Sequence, residues 1–349
     1  MKTGFSHSSQ LVYCWAMATK HTCCVYLGDQ LARYAFGNDH PFGPLRHGAF
    51  STALYAQGLE RQLDILPPVM TTQDTLELFH THGYIEKVKH MSKFGTGFLD
   101  QGDTPAFIGM YEASLAVAGS VCDAIDRLVN NEYRRAFVPI AGLHHARRDV
   151  AAGFCVINDC GIAIEYLRRK YNIKRIAYID IDAHHGDGVF YSFENDPDLI
   201  FVDFHEDGRF LYPGSGDITE TGTDDAEGTK LNIPMAPGAD NELFMKLWPR
   251  AEEFIRKGKP EFILMQCGAD SISGDPITHM AYSEAAHKYA VSRACQIANE
   301  YCNGHVLAMG GGGYNLDNIA KTWTAVVSTM VAADQASQAA ARTTPPVSA

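Results

Sequence analysis

The stretch "RIAYIDIDAHHGDG", residues 175–188, joins an apolar run to three aspartates and two adjacent histidines. An uninterrupted apolar run of this length is typical of a strand that is buried on both faces of a parallel sheet. Charged side chains directly behind such a strand are costly to bury unless a cation or hydrogen bonds compensate them. The stretch therefore predicts a buried strand that delivers a polar site to one edge of a sheet.

Segments of the same kind alternate along the chain with segments of helical periodicity. The apolar segments predict six strands: "TCCVYLG", "RAFVPI", "RIAYID", "LIFVDF", "FILMQCG" and "HVLAMG". Helical spacing predicts helices within residues 47–59, 73–92, 109–130, 156–171, 240–257, 283–301 and 316–333. Because no repeat or long linker divides the chain, we expect one α/β domain whose mainly parallel sheet carries helices on both faces.

The composition is that of a folded globular protein, with 46% hydrophobic and 20% charged residues. The formal net charge of −12 argues against nonspecific binding to nucleic acid or anionic membranes and favours cationic substrates. Nine cysteines, an odd number without a C-x-x-C pair, indicate reduced thiols in a cytoplasmic protein. Near the N-terminus, polar residues interrupt the apolar stretch "LVYCWAMA" before it reaches the length of a signal core or membrane span.

Five of these segments end in polar or glycine-rich sequence. The five ends are "VPIAGLHHA", "YIDIDAHHGD", "VDFHEDG", "QCGADS" and "AMGGGGY". In an open parallel sheet, ligands bind beyond the carboxyl ends of the strands. We therefore expect these five ends to build one shared site.

Asp180, Asp182 and His184 are spaced by two residues, so their side chains project to the same side of an extended segment. Two members of this set, together with Asp270 after "FILMQCG", make a two-aspartate, one-histidine metal site with room for a water molecule. The alternative is a hydrogen-bonded acidic loop, or a weak magnesium site without chemistry.

Two further motifs add groups that suit acid–base catalysis. "GLHHA" supplies His144 and His145, and the carboxylates of Asp180 and Asp187 are available to orient their imidazoles. "GGGGY" lacks the lysine and spacing of a phosphate loop. Glycines without side chains let the backbone come close to the other groups of the site, with the Tyr314 hydroxyl directed into it. The alternative is a flexible turn followed by a tyrosine that only packs.

Taken together, the motifs resemble the histone deacetylase superfamily, metal-dependent amidohydrolases that include acetoin-utilisation-type and acetylpolyamine deacetylases. The resemblance rests on "HPFGPLR", "GDTPAF", "GLHHA", "GFCVIND", "YIDIDAHHGDG", "YPGSGD", "GADSISGDP" and "GGGGY", in the order of the family. It implies an arginase/deacetylase-like domain with a sheet of about eight strands. We expect an N-terminal extension at residues 1–20, the catalytic domain at 21–334 and a flexible tail at 335–349.

The resemblance also implies roles for individual residues. The implied ligands of a zinc or ferrous ion are Asp182, His184 and Asp270. His145 is expected to be the general base and acid, with Asp187 behind it. His144 is expected to be its electrostatic partner, backed by Asp180, and Tyr314 to stabilise the oxyanion.

For the substrate, the resemblance implies a narrow channel lined by Gly153, Phe154 and Tyr212, with Ile277 near its rim and Asp103 as a rim carboxylate. A structural potassium ion is implied behind the metal. Its implied oxygen donors are Asp180, Asp182, His184, Asp203 and Phe204. Many relatives have serine at the position of Asp203, which leaves the details of that cation site open.

The related ureohydrolases share the fold but need a second metal, and its carboxylates are missing because Gly186 and Ile272 occupy those positions. The expected activity is therefore metal-dependent hydrolysis of an N-acetylated amine, either acetyl-lysine in proteins or a small amine such as an acetylpolyamine. Asp103 and Glu206 are candidates to bind a distal ammonium group. A longer-chain deacylase and a noncatalytic acyl-lysine binding protein are the alternatives, and the loop at 37–48 is a candidate contact in a homo-oligomer.

Overall fold

The computed structural model describes residues 21–37 and 39–343, so the predicted extension at 1–20 lies outside the described residues. Its core is one sheet of eight strands. The strands are β1 (Cys23–Tyr26), β2 (Asp64–Leu66), β3 (Arg135–Val138), β4 (Ile176–Asp180), β5 (Leu199–Glu206), β6 (Lys230–Met235), β7 (Phe262–Gln266) and β8 (Val306–Met309). They lie in the order β2-β1-β3-β8-β7-β4-β5-β6, and every neighbouring pair is parallel.

Helices cover both faces of the sheet. They are α1 (Asp29–Ala32), α2 (Leu45–Ala56), α3 (Gln73–Leu76), α4 (His82–Ser92), α5 (Met110–Val129), α6 (Asp159–Tyr171), α7 (Asp187–Ser192), α8 (Asn241–Gly258), α9 (Glu284–Tyr301) and α10 (Leu316–Thr343). One apolar cluster includes the buried faces of α5 and α6, and a second includes those of α2, α8, α9 and α10. The predicted α/β architecture with a parallel eight-stranded sheet is confirmed.

All six predicted strands are present, and two further strands escaped the sequence analysis. Strand β2 has only three residues, too few to carry a periodic signal. Strand β6 lies at the edge of the sheet and contains Lys230, Asn232 and Pro234. Polar residues and proline are tolerated at an edge, so its composition does not resemble that of a buried strand.

The structure makes the helix prediction at 73–92 more specific and corrects the one at 316–333. The segment 73–92 forms two helices, α3 and α4, because the Thr81 side chain accepts a hydrogen bond from the Tyr84 N–H and starts a new helix. Helix α10 was expected to end at 333, yet the helix continues to Thr343, and the domain boundary and flexible tail expected at 335–349 stay a prediction. Alanine is the strongest helix former, and "QASQAAART" contains neither glycine nor proline. The remaining tail residues, 344–349, lie outside the described part.

The strand order determines where the site lies. Strands β3, β8, β7 and β4 are consecutive in the sheet, so their carboxyl ends meet at one edge. These are the strands that precede the two histidine pairs, "GADS" and the glycine run. Among the described helices, none has both the length and the apolar composition needed to cross a lipid bilayer.

Candidate active site

The structure brings together the three predicted metal ligands, Asp182, His184 and Asp270. His184 Nδ1 lies 3.0 Å from Asp182 Oδ1 and 3.1 Å from Asp270 Oδ2. One ligand atom from each of the three residues lies within 4.8 Å of the other two, and all three residues are buried. Two come from the segment after β4 and the third from the segment after β7, as the strand order predicts.

Hydrogen bonds turn one oxygen of each carboxylate away from the centre of this group. Asp182 Oδ2 accepts hydrogen bonds from Gln266 Nε2 at 2.7 Å and from the Gly312 N–H at 2.8 Å. Asp270 Oδ1 accepts one from the Ala183 N–H at 2.9 Å. The other oxygen of each carboxylate therefore faces His184, in the arrangement that a metal ion needs from oriented ligands.

The electrostatics of this group also fit a cation. Burial and the adjacent Asp182 carboxylate raise the pKa of Asp270 to about 7. Two buried carboxylates at this distance repel each other, and a divalent ion with oxygen and nitrogen ligands would remove that cost. The residues present therefore fit a small divalent metal ion.

The predicted histidine pair lies beside these ligands. His144 Nδ1 is 2.8 Å from Asp180 Oδ2, and His145 Nδ1 is 2.7 Å from Asp187 Oδ1. The two Nε2 atoms are 3.1 Å apart. Each imidazole is therefore oriented by its own carboxylate, and the opposite nitrogens meet at the floor of the site.

The two histidines have very different proton affinities. Burial opposes a charge on His144, but the Asp180 and Asp182 carboxylates raise its pKa to about 10. Burial and the neighbouring His144 lower the pKa of His145 to about 4. His145 is therefore the member of the pair that is neutral at pH 7 and able to accept a proton.

The glycine run passes directly against the metal ligands. A Cβ atom on Gly312 would lie 2.1 Å from Asp270 Oδ2, and Gly311 has a φ of +74°. The backbone of the glycine run therefore lies as close to the metal ligands as the sequence predicts. Beyond the run, Tyr314 lines the same inner cavity as both histidines. That cavity has a volume of about 10 Å³, which is room for about one water molecule.

The predicted channel residues surround the histidines. A Cβ on Gly153 would lie 2.3 Å from His145 Cδ2, and the Phe154 and Tyr314 ring centroids are 5.8 Å apart. The Tyr212 ring lies 5.2 Å from that of His145, and 43% of the residue is exposed. Gly153 and Tyr212 therefore lie against His145, Phe154 packs against Tyr314, and their role as a substrate channel stays a prediction.

The rim is wider. Asp103 and Tyr212 border an open cavity of about 580 Å³. Ile277, expected at the rim, is half-buried and lines neither this cavity nor the inner one. Glu206 is buried, and both its oxygens lie against His279, 2.8 Å from the backbone nitrogen and from Nδ1. Its carboxylate is therefore already paired within the chain.

A family model for the histone deacetylase domain matches residues 40–330. The chain belongs to the histone deacetylase family. It is 35% identical to the acetoin utilization protein AcuC of Bacillus subtilis (strain 168) over 292 residues, covering 81% of this chain and 75% of that protein. AcuC of Staphylococcus xylosus is 33% identical over 315 residues, covering 87% and 81%. Members of the family are deacetylases, and this chain is such a hydrolase.

The fold agrees with a solved member of the family. The crystal structure of the HDA15 HD domain superposes with a TM-score of 0.81 at 23% identity, covering 89% of this chain and 88% of that one. Domains of the histone deacetylase family are generally metal-dependent, which agrees with the group formed by Asp182, His184 and Asp270.

In this deacetylase, three of the residues expected around a potassium ion, Asp180, Asp203 and Phe204, lie on the neighbouring strands β4 and β5. The other two, Asp182 and His184, follow β4. Asp180 and Asp203 are register partners across β4 and β5. Asp203 Oδ1 lies 2.7 Å from His205 Nδ1, and Oδ2 accepts a hydrogen bond of 2.8 Å from the Gly186 N–H. The side chain of Asp203 is therefore engaged by the protein itself, and the potassium site stays a prediction.

Several residues that support the site were missed in the sequence. Asp159 accepts hydrogen bonds from the backbone of Gly142 and Leu143, which holds the loop before the histidine pair. Gln266 binds Asp182, as described above, and Asp275 accepts from the Tyr314 N–H at 2.8 Å. A polar residue at the end of the apolar run "FILMQ" was a signal for Gln266. Asp159 is the first residue of α6, and Asp275 lies in the loop between β7 and α9. Both belong to motifs on which the resemblance rests, "GFCVIND" and "GADSISGDP", but no spacing pattern marked them individually.

Proposed function

We propose that this deacetylase is a zinc-dependent amidohydrolase that removes acetyl groups from N-acetylated amines. The observation that carries the proposal is the buried group of Asp182, His184 and Asp270 beside two histidine–aspartate pairs. A metal ligand set adjoining an oriented base is the arrangement required for metal-assisted amide hydrolysis.

The three ligands would hold the ion and leave a position open for water and substrate. When bound, a zinc ion polarises the acetyl carbonyl and lowers the pKa of the attacking water. Nitrogen and carboxylate ligands are also compatible with ferrous iron, which is the alternative metal.

Proton transfer is assigned to His145. Its low pKa keeps the imidazole neutral, and Asp187 holds Nδ1 in a fixed orientation, so Nε2 is the nitrogen that would accept a proton from the water. His145 then delivers that proton to the leaving amine. His144, which Asp180 keeps charged, lies 3.1 Å away and stabilises negative charge in the transition state.

The Tyr314 hydroxyl is assigned to the oxyanion of the tetrahedral intermediate. Acetyl is the proposed acyl group, and a longer acyl chain is the alternative. Gly153, Phe154 and Tyr212 are proposed to flank an aliphatic amine stem, and Asp103 to bind the substrate at the rim.

The proposal also covers a second cation, the cellular location, the substrates and the assembly of the enzyme. A structural potassium ion is proposed on oxygens of Asp180, Asp182, His184, Asp203 and Phe204. A cytoplasmic location is supported by the eight cysteines of the described residues, which are all free and buried. Acetyl-lysine proteins and small acetylated amines are both proposed substrates, and a homo-oligomer through the loop at 37–48 is proposed as the assembly.

The test is a substrate panel with the full chain. Protein stripped by a chelator and reloaded with one equivalent of zinc is assayed with acetyl-lysine peptides, acetylputrescine and acetylcadaverine, and released acetate is measured. We expect hydrolysis of at least one substrate, its loss in the stripped protein and its recovery on adding zinc. Peptide binding without hydrolysis in the zinc-loaded protein would favour the noncatalytic acyl-lysine binding protein instead.

A further inference from the structure

Two buried carboxylates hold the loop between β7 and α9, which passes beside the active site. Glu206 holds the far part of this loop through His279, with bonds of 2.8 Å to its backbone nitrogen and ring. Asp275 holds the near part, and it is 8% exposed. The two carboxylates differ in what else they contact, because only Asp275 also bonds to the glycine run.

Asp275 joins two segments, its own loop and the end of the glycine run. Its Oδ1 accepts a hydrogen bond of 3.1 Å from the Ile277 N–H within the loop. Its Oδ2 accepts one of 2.8 Å from the Tyr314 N–H, at the end of the glycine run after β8. A single side chain therefore fixes the backbone of the predicted oxyanion donor relative to the loop.

The peptide unit that precedes Tyr314 is held at both ends. Its carbonyl, Gly313 O, accepts a hydrogen bond of 2.8 Å from Arg46 Nε, and its N–H donates to Asp275. Arg46 is fully buried, and its guanidinium also lies 3.8 Å from the Phe42 ring centroid. The dipole of this peptide unit thus lies between a buried cation and a buried anion, which is a favourable orientation for both.

These two bonds, from Arg46 and to Asp275, act on the backbone between a glycine and the start of a helix. Gly313 has a φ of +119°, and α10 begins only at Leu316. Tyr314 therefore follows a glycine whose backbone conformation other residues rarely adopt, and it precedes the first turn of α10. Without the two bonds, the ring would keep its packing against Phe154, Arg46 and the first apolar cluster, but the backbone that carries it would lose its fixed orientation.

We propose that Asp275 is a positioning residue that places the Tyr314 hydroxyl for oxyanion stabilisation. The inference rests on the proposed function, because it assigns a role to a residue that supports Tyr314. Asp275 touches neither substrate nor metal in this role. Its effect on turnover passes through the peptide unit between Gly313 and Tyr314.

The competing explanation is that Asp275 merely closes a turn with Ile277. The chain offers a matched control, because Asp217 Oδ1 accepts a hydrogen bond of 2.9 Å from the backbone N–H two residues on, at Thr219. Asp217 makes the same turn but is exposed and has no bond to the glycine run among the described residues.

The experiment compares Asp275→Asn, Asp275→Ala and Asp217→Asn, each alone and combined with Tyr314→Phe. We expect both Asp275 variants to bind zinc at the stoichiometry of the wild type and to lose about 10- to 100-fold in kcat with KM changed by less than about 3-fold, since a misplaced catalytic group costs turnover. In the Tyr314→Phe background the same changes should cost less than about 3-fold, because residues that act as a unit are not additive.

Each other result would overturn the inference. Wild-type kcat in both Asp275 variants, or a full additional loss in the Tyr314→Phe background, would remove the coupling to the tyrosine. Loss of zinc or of the folded state in both variants, with Asp217→Asn intact, would show a role in metal binding or folding instead. An inactive zinc-loaded wild type would contradict the proposed function itself, so the two failures are distinguishable.

Discussion

The floor and the rim of the active site are built in different ways. At the floor, the ends of four neighbouring strands bring together buried carboxylates and imidazoles whose hydrogen bonds fix their orientation. At the rim, Asp103 and Tyr212 stand on loops, are exposed and border an open cavity. A rigid floor suits fixed chemistry, and a loop-built rim suits adjustable selectivity.

This difference has a measurable consequence. Changes at the floor should reduce metal binding or kcat, since those groups act in the transition state, whereas changes at the rim should mainly raise KM. Four substitutions test the distinction, and their expected effects decrease from the metal ligands outward.

The largest effect is expected from Asp270→Ala. This change removes one of three metal ligands and leaves Asp182 and His184 unable to hold the ion, so metal content and activity should both fall to the detection limit. Elemental analysis of the purified variant measures the metal. Asp217→Asn serves as the control and should keep both, while stoichiometric zinc in Asp270→Ala would refute the ligand assignment.

The next effect is expected from Asp187→Asn. The amide cannot hold His145 as the carboxylate does, so kcat should fall by about 10²- to 10⁴-fold. Zinc should remain bound, because Asp187 is not part of the ligand group. Steady-state kinetics and elemental analysis of the same sample separate this result from metal loss. A variant with unchanged kcat would show that His145 does not depend on its carboxylate.

Tyr314→Phe should follow, with a loss of about 10²- to 10³-fold in kcat, the usual cost of removing one oxyanion donor. The ring would keep its contacts with Phe154 and Arg46, so the melting temperature and the metal content should match the wild type. Turnover close to that of the wild type would exclude the hydroxyl from the mechanism.

The floor was largely predictable from the sequence. Asp180, Asp182 and His184 follow a strongly apolar strand at a spacing of two, and the rule for parallel sheets places Asp270 and the histidine pair at the same edge. These inferences depend on strand periodicity, which local sequence determines. The six longer or more apolar strands were predictable for the same reason.

The supporting contacts and the rim were less predictable. Asp275 and Asp159 act through hydrogen bonds to backbone groups that are distant in sequence, and such contacts have no sequence period that would reveal them. The rim position of Ile277 stays a prediction: its N–H donates to Asp275, and it lines neither of the two cavities described above. The end of α10 was missed because an alanine-rich polar segment is compatible with either a helix or a loose tail.

The smallest effect is expected at the rim, from Asp103→Asn with an ammonium-bearing substrate such as acetylputrescine. The variant keeps the shape of the side chain and loses its charge, so KM should rise by about 3- to 10-fold while kcat changes by less than about 2-fold.

The pH dependence of this KM difference sharpens the test. Burial and the neighbouring Asp100 raise the pKa of Asp103 to about 6, so its attraction for a cation is present above that pH and is lost as the pH falls through it. The KM difference between wild type and Asp103→Asn should therefore be largest near pH 8 and nearly absent near pH 5, and it should narrow in high salt because the charge is exposed to solvent. A loss confined to kcat at every pH would instead assign Asp103 to the floor and break the distinction between the two regions.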